Sequence, residues 1–424
     1  MSSTNRNRGR LYAYLVGAFV VILLLALTLT ISLRVFNVHQ PQSQEPGQPS
    51  AGTTVGTTGG TAVGTTGGTA AVEHYVYVFP ETHTIDVYDM DHGHRLVKTI
   101  ALPSNVSFIR GVAASIPTHT LYIAYGGNGG SNGNGSLLAY DLVANHVIYD
   151  KHYPRGIDSF AITADGKAIY MPDGDLTDDG TWRVIDAATG NVTAAITTPG
   201  KLPHNTVMGP GQKHVYLGGR GANYLYVADT ATNTVIQQIG PVKNGVRPFT
   251  INASETLAFI TTSGFLGFQV GDIATGKILF TVPVNGFTYT GPDYFAPSHG
   301  VSLSPDEKEL YLVDWPNSSV HVFDVSGLPS SPPKQVADIH LHSMSGNDIP
   351  CVKSCEKEGW VLHSRDGRFV YVGDAGDVVD TATRKSVAYL PPLANTRKMM
   401  EIDWQNGVPV FTTNRYGIGY GRST

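Results

Sequence analysis

Cysteine is almost missing from this chain: Cys351 and Cys355 are the only two in 424 residues. A disulfide-built scaffold is therefore excluded, and the fold has to hold itself by packing. Charge is also sparse, at 15% of residues with a net charge of -5, which argues against a nucleic-acid partner. Tryptophan occurs four times, at Trp182, Trp315, Trp360 and Trp404, in no repeated register. Long apolar runs are missing too, except for one near the start.

That run, Leu11 to Leu33, carries no charged side chain. At about 1.5 Å per residue it spans roughly 34 Å as a helix, enough to cross a bilayer. Arg6, Arg8 and Arg10 precede it, which places residues 1–10 in the cytoplasm and the rest outside. The expectation is a single-pass membrane protein with its main body periplasmic or on the cell surface. A cleaved signal peptide is the competing reading, but its apolar region is shorter, and Ser32-Leu-Arg-Val-Phe36 is a poor cleavage site. Residues 34–72 read as a stalk. Val55-Gly-Thr-Thr-Gly-Gly-Thr-Ala62 is repeated as Val63 to Ala70, a composition that buries nothing and serves as a flexible tether.

What is abundant is turn chemistry, with 48 Gly and 25 Pro, together with an internal repeat. An apolar strand, a polar turn, a Tyr-centred strand and a strand ending in Asp recur at about 40–50 residues, the signature of a propeller or solenoid. Aligning on the strand-final Asp gives seven copies, at Asp89, Asp141, Asp186, Asp229, Asp272, Asp324 and Asp380. Turns such as Asp186-Ala-Ala-Thr-Gly190 follow, and then a fourth strand. Four short strands make one propeller blade. The first copy lacks its leading strand, while Lys398 to Trp404 reads as an orphan first strand. Joining them closes a seven-bladed, all-β propeller over residues 73–424 with strands from both termini, which removes exposed sheet edges. Val408 to Tyr420 remains over, so an eighth partial blade stays open.

Three stretches share one phrase, a turn built on Asp followed by a Tyr-centred strand: Pro297 to Val313 with Ser304-Pro-Asp306, Gly359 to Gly373 with Arg365-Asp-Gly367, and Ile157 to Tyr170 with Ala164-Asp-Gly166. In this the chain resembles the YVTN-repeat β-propeller family, which includes surface-layer-like and other extracytoplasmic proteins. The resemblance covers roughly residues 73 to 412 and implies fold far more than function, since such propellers include binders, assembly factors and enzymes. Gly209-Pro-Gly-Gln212 and Ala253-Ser-Glu-Thr256 depart from the phrase.

In a propeller the first strands begin together at one mouth of the central channel. Counting twelve residues back from Tyr122, Tyr170, Tyr216, Phe259, Tyr311 and Tyr371 gives Arg110, Asp158, His204, Arg247, His299 and Gly359. The orphan strand adds Lys398 or Arg397. Like charges gathered in a funnel repel unless something of opposite charge joins them. One reading is a polar-ligand or anion site on Arg110, Arg247 and Lys398, with His204 and His299 as hydrogen-bonding or proton-transfer groups. A second is a transition metal on His204 and His299, although two ligands are few. The third is that these side chains only bridge blades, with Asp158 pairing an arginine.

Two further clusters stand apart. His340-Leu-His342 and Cys351-Val-Lys-Ser-Cys355 lie on a long insertion before the seventh blade, where an extracytoplasmic setting favours a Cys351–Cys355 disulfide over a copper or zinc site. Asp173 to Asp179 is an acidic loop without EF-hand spacing, read as solvated, with Ca²⁺ as the alternative. Gly126 to Gly135 is a hairpin tip placed to cover the mouth. Asp272 to Lys277 fits the turn of quinone-cofactor propeller dehydrogenases, but Phe280 stands where their docking Trp would be.

The reading adopted is a membrane-anchored platform that binds a small anionic or polar ligand, or an envelope protein, at the funnel, without a predicted cofactor. The alternative is a propeller enzyme (lactone hydrolase, lyase or oxidoreductase) using His204 and His299 with neighbouring Arg. A second alternative is a structural surface or adhesion protein.

Overall fold

Each of the seven aligned aspartates ends the third strand of a four-stranded antiparallel unit. This is seen in a computed structural model, which describes residues 71–413 apart from Val352 and Ser354. Six sheets are built in chain order. The first is β4 (Ile109–Ser115), β5 (Thr120–Tyr125), β6 (Ser136–Asp141) and β7 (His146–His152). The next is β8 (Ala161–Ile162), β9 (Ala168–Pro172), β10 (Thr181–Asp186) and β11 (Val192–Thr197). Then come β12 (Pro203–Met208), β13 (His214–Gly219), β14 (Leu225–Asp229) and β15 (Thr234–Ile239). The fifth blade is β16 (Val246–Ile251), β17 (Leu257–Thr262), β18 (Gly267–Asp272) and β19 (Ile278–Pro283). The sixth is β20 (Val301–Leu303), β21 (Glu309–Asp314), β22 (Ser319–Asp324) and β23 (Lys334–His340). The seventh is β24 (Trp360–His363), β25 (Phe369–Gly373), β26 (Asp377–Asp380) and β27 (Lys385–Tyr389).

The first blade is assembled from both ends of the described chain. Here β1 (Glu73–Val78), β2 (Thr84–Asp89) and β3 (Arg95–Ala101) receive β28 (Met399–Gln405) as their leading strand, in register from Val78↔Met399 to Glu73↔Trp404. The junction is locked by Phe79 N–H donating to Lys398 O at 3.0 Å and by the Thr396 hydroxyl donating to Phe79 O at 2.7 Å. The leftover segment does not start an eighth blade among the described residues. It forms β29 (Val408–Thr412), which pairs with the edge of β28 that the leading strands of the other blades leave unpaired.

The aspartates work as the turn chemistry requires. Asp186, Asp229, Asp272 and Asp380 each accept two bonds, from the backbone and hydroxyl of a Thr three residues on, at 2.7–2.9 Å. Neighbouring blades are joined at Tyr122, Tyr216 and Tyr371, second-strand aromatics whose rings are buried and whose hydroxyls reach across the blade gap. Tyr122 donates to Ala187 O at 3.1 Å, Tyr216 to Glu255 at 2.9 Å, and Tyr371 meets His94 Nε2 at 2.9 Å. That hydroxyl is the advantage of Tyr over Phe at these positions: the ring packs while the tip satisfies a buried polar group.

The expected membrane span (11–33), the cytoplasmic residues and nearly all of the stalk lie outside the described residues. Among the described residues no helix is long and apolar enough to cross a membrane.

Candidate functional site

Strand direction puts all seven leading strands at one mouth, and the counted residues arrive there together. Arg110, His204 and Arg247 are the second residues of β4, β12 and β16. Asp158, His299, Gly359 and Lys398 come just before β8, β20, β24 and β28. All are buried; the charged and imidazole members are 1–8% exposed. Neighbouring leading strands touch directly, as in the parallel bridge Ser159↔Asn205.

The hub splits into two halves. In the first, Asp158 Oδ2 accepts from Arg110 Nη2 and from His204 Nδ1, both at 2.9 Å. Asp175 Oδ2 stands 2.7 Å from Arg220 Nη1 and 3.4 Å from Arg110 Nη2, and its other oxygen accepts from Asn128. In the second half, Glu358 sits among Arg397, Arg247 (Nη2 to Oε1, 3.7 Å) and His299 (Nε2 to Oε2, 3.5 Å). Asp374 backs this half, 3.7 Å from Arg397 Nε, and accepts from the backbone of Glu358 and Gly359 at 2.9 and 3.0 Å. The His204 and His299 rings lie 6.1 Å apart, between the halves.

The expected repulsion among cations is thus met by the protein's own carboxylates. Burial disfavours ionisation of Asp158 and Glu358, yet the surrounding cations outweigh it and hold both well below the usual carboxylate range. Burial also pushes His204 and His299 down, so both are neutral at pH 7. Neutral His204 facing ionised Asp158 must carry its proton on Nδ1, which leaves a bare lone pair on Nε2. Nε2 has no hydrogen-bond partner among the described residues, and neither do Nε and Nη1 of Arg247. Burial, then repulsion from Arg220, brings Arg247 down to about 10. A buried cation with unmet donors beside a buried unmet acceptor is a place where polar groups are underserved.

Asp158, Asp175 and His204 offer ligand atoms within 4.8 Å of one another, the only such group of three among the described residues. The guanidiniums of Arg110 and Arg220 already hold these carboxylates. A dication would have to displace two charges, so the donor set fits a metal poorly. The pairing of His204 with His299 as metal ligands fares no better. His299 turns Nδ1 to Gly359 O at 3.4 Å and its other nitrogen to Glu358.

The acidic loop corrects its solvated reading. Asp173 and Asp175 are 2% and 4% exposed and are consumed by Arg183 and by the hub. Only Asp178 and Asp179 stay outside, paired with Lys201 and Arg155. The glycine-rich tip sends Asn128 to Asp175 and accepts, at Asn132 O, the Lys353 ammonium at 2.8 Å. Its Gly129-Gly-Ser-Asn-Gly133 spells a nucleophile-elbow pattern but joins β5 to β6, not a strand to a helix. Cys351 and Cys355 are bonded to each other, with Cα atoms 5.7 Å apart. His342 goes to Asp377 and His340 to Ser319. His363 bonds Ser302 at 2.8 Å and packs on Tyr311, away from the hub.

Three hub residues escaped the sequence count. Glu358 lies one position before the counted Gly359, where a one-residue shift would have found it. Asp175 and Arg220 lie in second-to-third-strand loops, and the only hint was that buried cations need partners.

No protein-family model matches the chain, and no curated protein matches it. Solved structures do. A functionally unknown protein from Desulfotomaculum acetoxidans DSM 771 is 15% identical, with a TM-score of 0.50, covering 68% of this chain and 86% of that one. Kuenenia stuttgartiensis hydrazine synthase is 17% identical, with a TM-score of 0.46, covering 66% of this chain and 78% of that one. At such identity the first likeness speaks for the fold alone, and the second carries no argument.

Proposed function

We propose that the chain is a membrane-anchored, outward-facing propeller of the YVTN-repeat kind whose hub binds a small anionic, hydroxyl-bearing ligand. One observation carries this reading. Arg247, whose one ion-pair partner among the described residues is Glu358 at 3.7 Å, keeps Nε and Nη1 buried without a hydrogen-bond partner there, as does His204 at Nε2. Arg247 offers donors to a carboxylate or phosphate, and His204 Nε2 offers an acceptor to a hydroxyl. A 2-hydroxy acid carries both groups on adjacent atoms. The Arg-rich stretch before residues 11–33 and the tether after it support an anchored, exported body. Calorimetric titration with lactate, acetate and phosphate tests the reading: lactate should bind best, and Arg247→Met should abolish binding while the fold is kept. Absence of binding by all three overturns it.

A second reading, the enzyme, rests on the Asp158–His204 pair. A carboxylate that fixes Nδ1–H and leaves Nε2 bare is the arrangement of an oriented general base. In that case the bound hydroxyl is also the group deprotonated.

A further inference from the structure

The connection from β19 to β20 is long and aromatic: Asn285-Gly-Phe-Thr-Tyr-Thr-Gly-Pro-Asp-Tyr-Phe-Ala-Pro297. It runs from the fifth blade to the sixth. On one side it crosses the fifth blade, where Gly264 N–H donates to Phe295 O at 2.7 Å and Asn244 reaches Asp293 O at 3.4 Å. Asn244 is three residues before Arg247. On the other side Trp315 donates Nε1–H to Ala296 O at 2.8 Å. A Cβ on Gly359, the neighbour of Glu358, would stand 3.6 Å from that tryptophan's Cβ. Phe295 packs between Tyr294 and Trp315, with centroids 4.7 and 6.2 Å away. Tyr294 is left 62% exposed, and Tyr289 is half-buried, its hydroxyl donating to Pro292 O at 2.8 Å.

Here the rings alternate with the exposed hydroxyls of Thr288 and Thr290, the amide of Asn244 and the carboxylate of Asp293. Rings alone would suit any flat apolar group. Rings interleaved with hydrogen-bonding groups suit a ligand whose faces carry C–H bonds and whose edges carry hydroxyls.

We propose that the hub's ligand is a sugar acid, its carboxylate on Arg247, a hydroxyl on His204 Nε2, and its ring on the ledge of Tyr289 and Tyr294. This rests on the hub-binding reading and adds the class of ligand. Its charge complements Arg247, and the C–H faces of its ring suit the aromatic rings of the ledge.

The test is titration of the purified protein with glucuronate, lactate and benzoate, repeated on Tyr294→Ala and Tyr289→Ala, with Arg247→Met as a control. Glucuronate should bind about tenfold more tightly than lactate. Each tyrosine variant should weaken glucuronate by about tenfold and leave lactate within about twofold. Equal affinity for lactate and glucuronate, unmoved by either tyrosine, overturns the sugar-acid proposal and leaves hub binding standing. Benzoate binding better than glucuronate overturns it in favour of an aromatic acid. No binding by any of the three overturns both.

Discussion

Arg247 and Glu358 face each other across the hub at 3.7 Å, one from the second position of β16, the other from the insertion that leads into β24. Their relationship is uneven. Glu358 also serves Arg397 and His299, whereas Arg247 has no other ion-pair partner among the described residues. Glu358 is therefore the shared counter-charge of one half of the hub, and removing it strands more than one cation.

Glu358→Gln should destabilise the protein by about 3–5 kcal/mol in denaturant melts, because it leaves Arg247 and Arg397 buried with too little negative charge. The more exposed pair of Arg384 and Glu309 is a control for charge loss as such. Glu309→Gln should cost less than about 1 kcal/mol. Similar losses for the two variants would show that the hub charges are solvated after all.

Asp348, on the insertion between β23 and β24, stands beside Asp374, with Arg397, Lys398 and Lys357 also facing it, and its N–H donates to Cys355 O at 2.8 Å. Burial first, then Asp374, pushes its carboxyl up to about 7. A carboxyl raised in the folded state binds its proton more tightly there than in the unfolded chain, whose value is about 3.9. Its contribution is thus fully present below about 4 and lost as pH rises towards 7. Asp348→Asn should flatten the fall of melting temperature between pH 4 and 7. An unchanged slope would place the proton elsewhere. Asp158 and Glu358 act in the opposite sense, lending stability at neutral pH that is lost on acidification.

The propeller was legible because its grammar is local. A strand-final Asp in all seven blades, followed in four of them by a Thr three residues on, and an aromatic at a fixed place in the second strand, Tyr in most blades and Phe259 in one, are short-range requirements. The hub positions followed from the same register, which holds even where β8 has shrunk to two residues and β20 to three. What the repeat could not supply was Asp175, Arg220 and Glu358. They sit in loops and an insertion whose lengths differ from blade to blade, so no register reaches them. For the same reason the acidic loop looked solvated. Whether Asp173 and Asp175 turn inward depends on Arg183, Arg110 and Arg220, which come from other strands and loops.

Zinc at 1 mM should leave the melting temperature within about one degree, since Arg110 and Arg220 already neutralise Asp158 and Asp175. Arg220→Ala removes one of these competitors, so a zinc-dependent rise should appear there first. A large rise in the unaltered protein would show that the carboxylates prefer metal to guanidinium.

The two C-terminal strands play different parts, and truncation separates them. A chain ending after Gln405 loses β29 but keeps β28 paired along β1 from Val78 to Glu73. It should unfold cooperatively, with a modestly lower melting temperature. A chain ending after Asn395 loses β28 as well, together with the Thr396 hydroxyl bond to Phe79 O. The first blade then has no leading strand, Met399, Met400 and Ile402 no longer fill the core, and β1 exposes an edge ready to pair with another chain. That variant should aggregate or melt without a sharp transition. If it unfolds as sharply as the longer truncation, the ring does not depend on strand exchange between its ends, and β28 is an ornament on six self-sufficient blades.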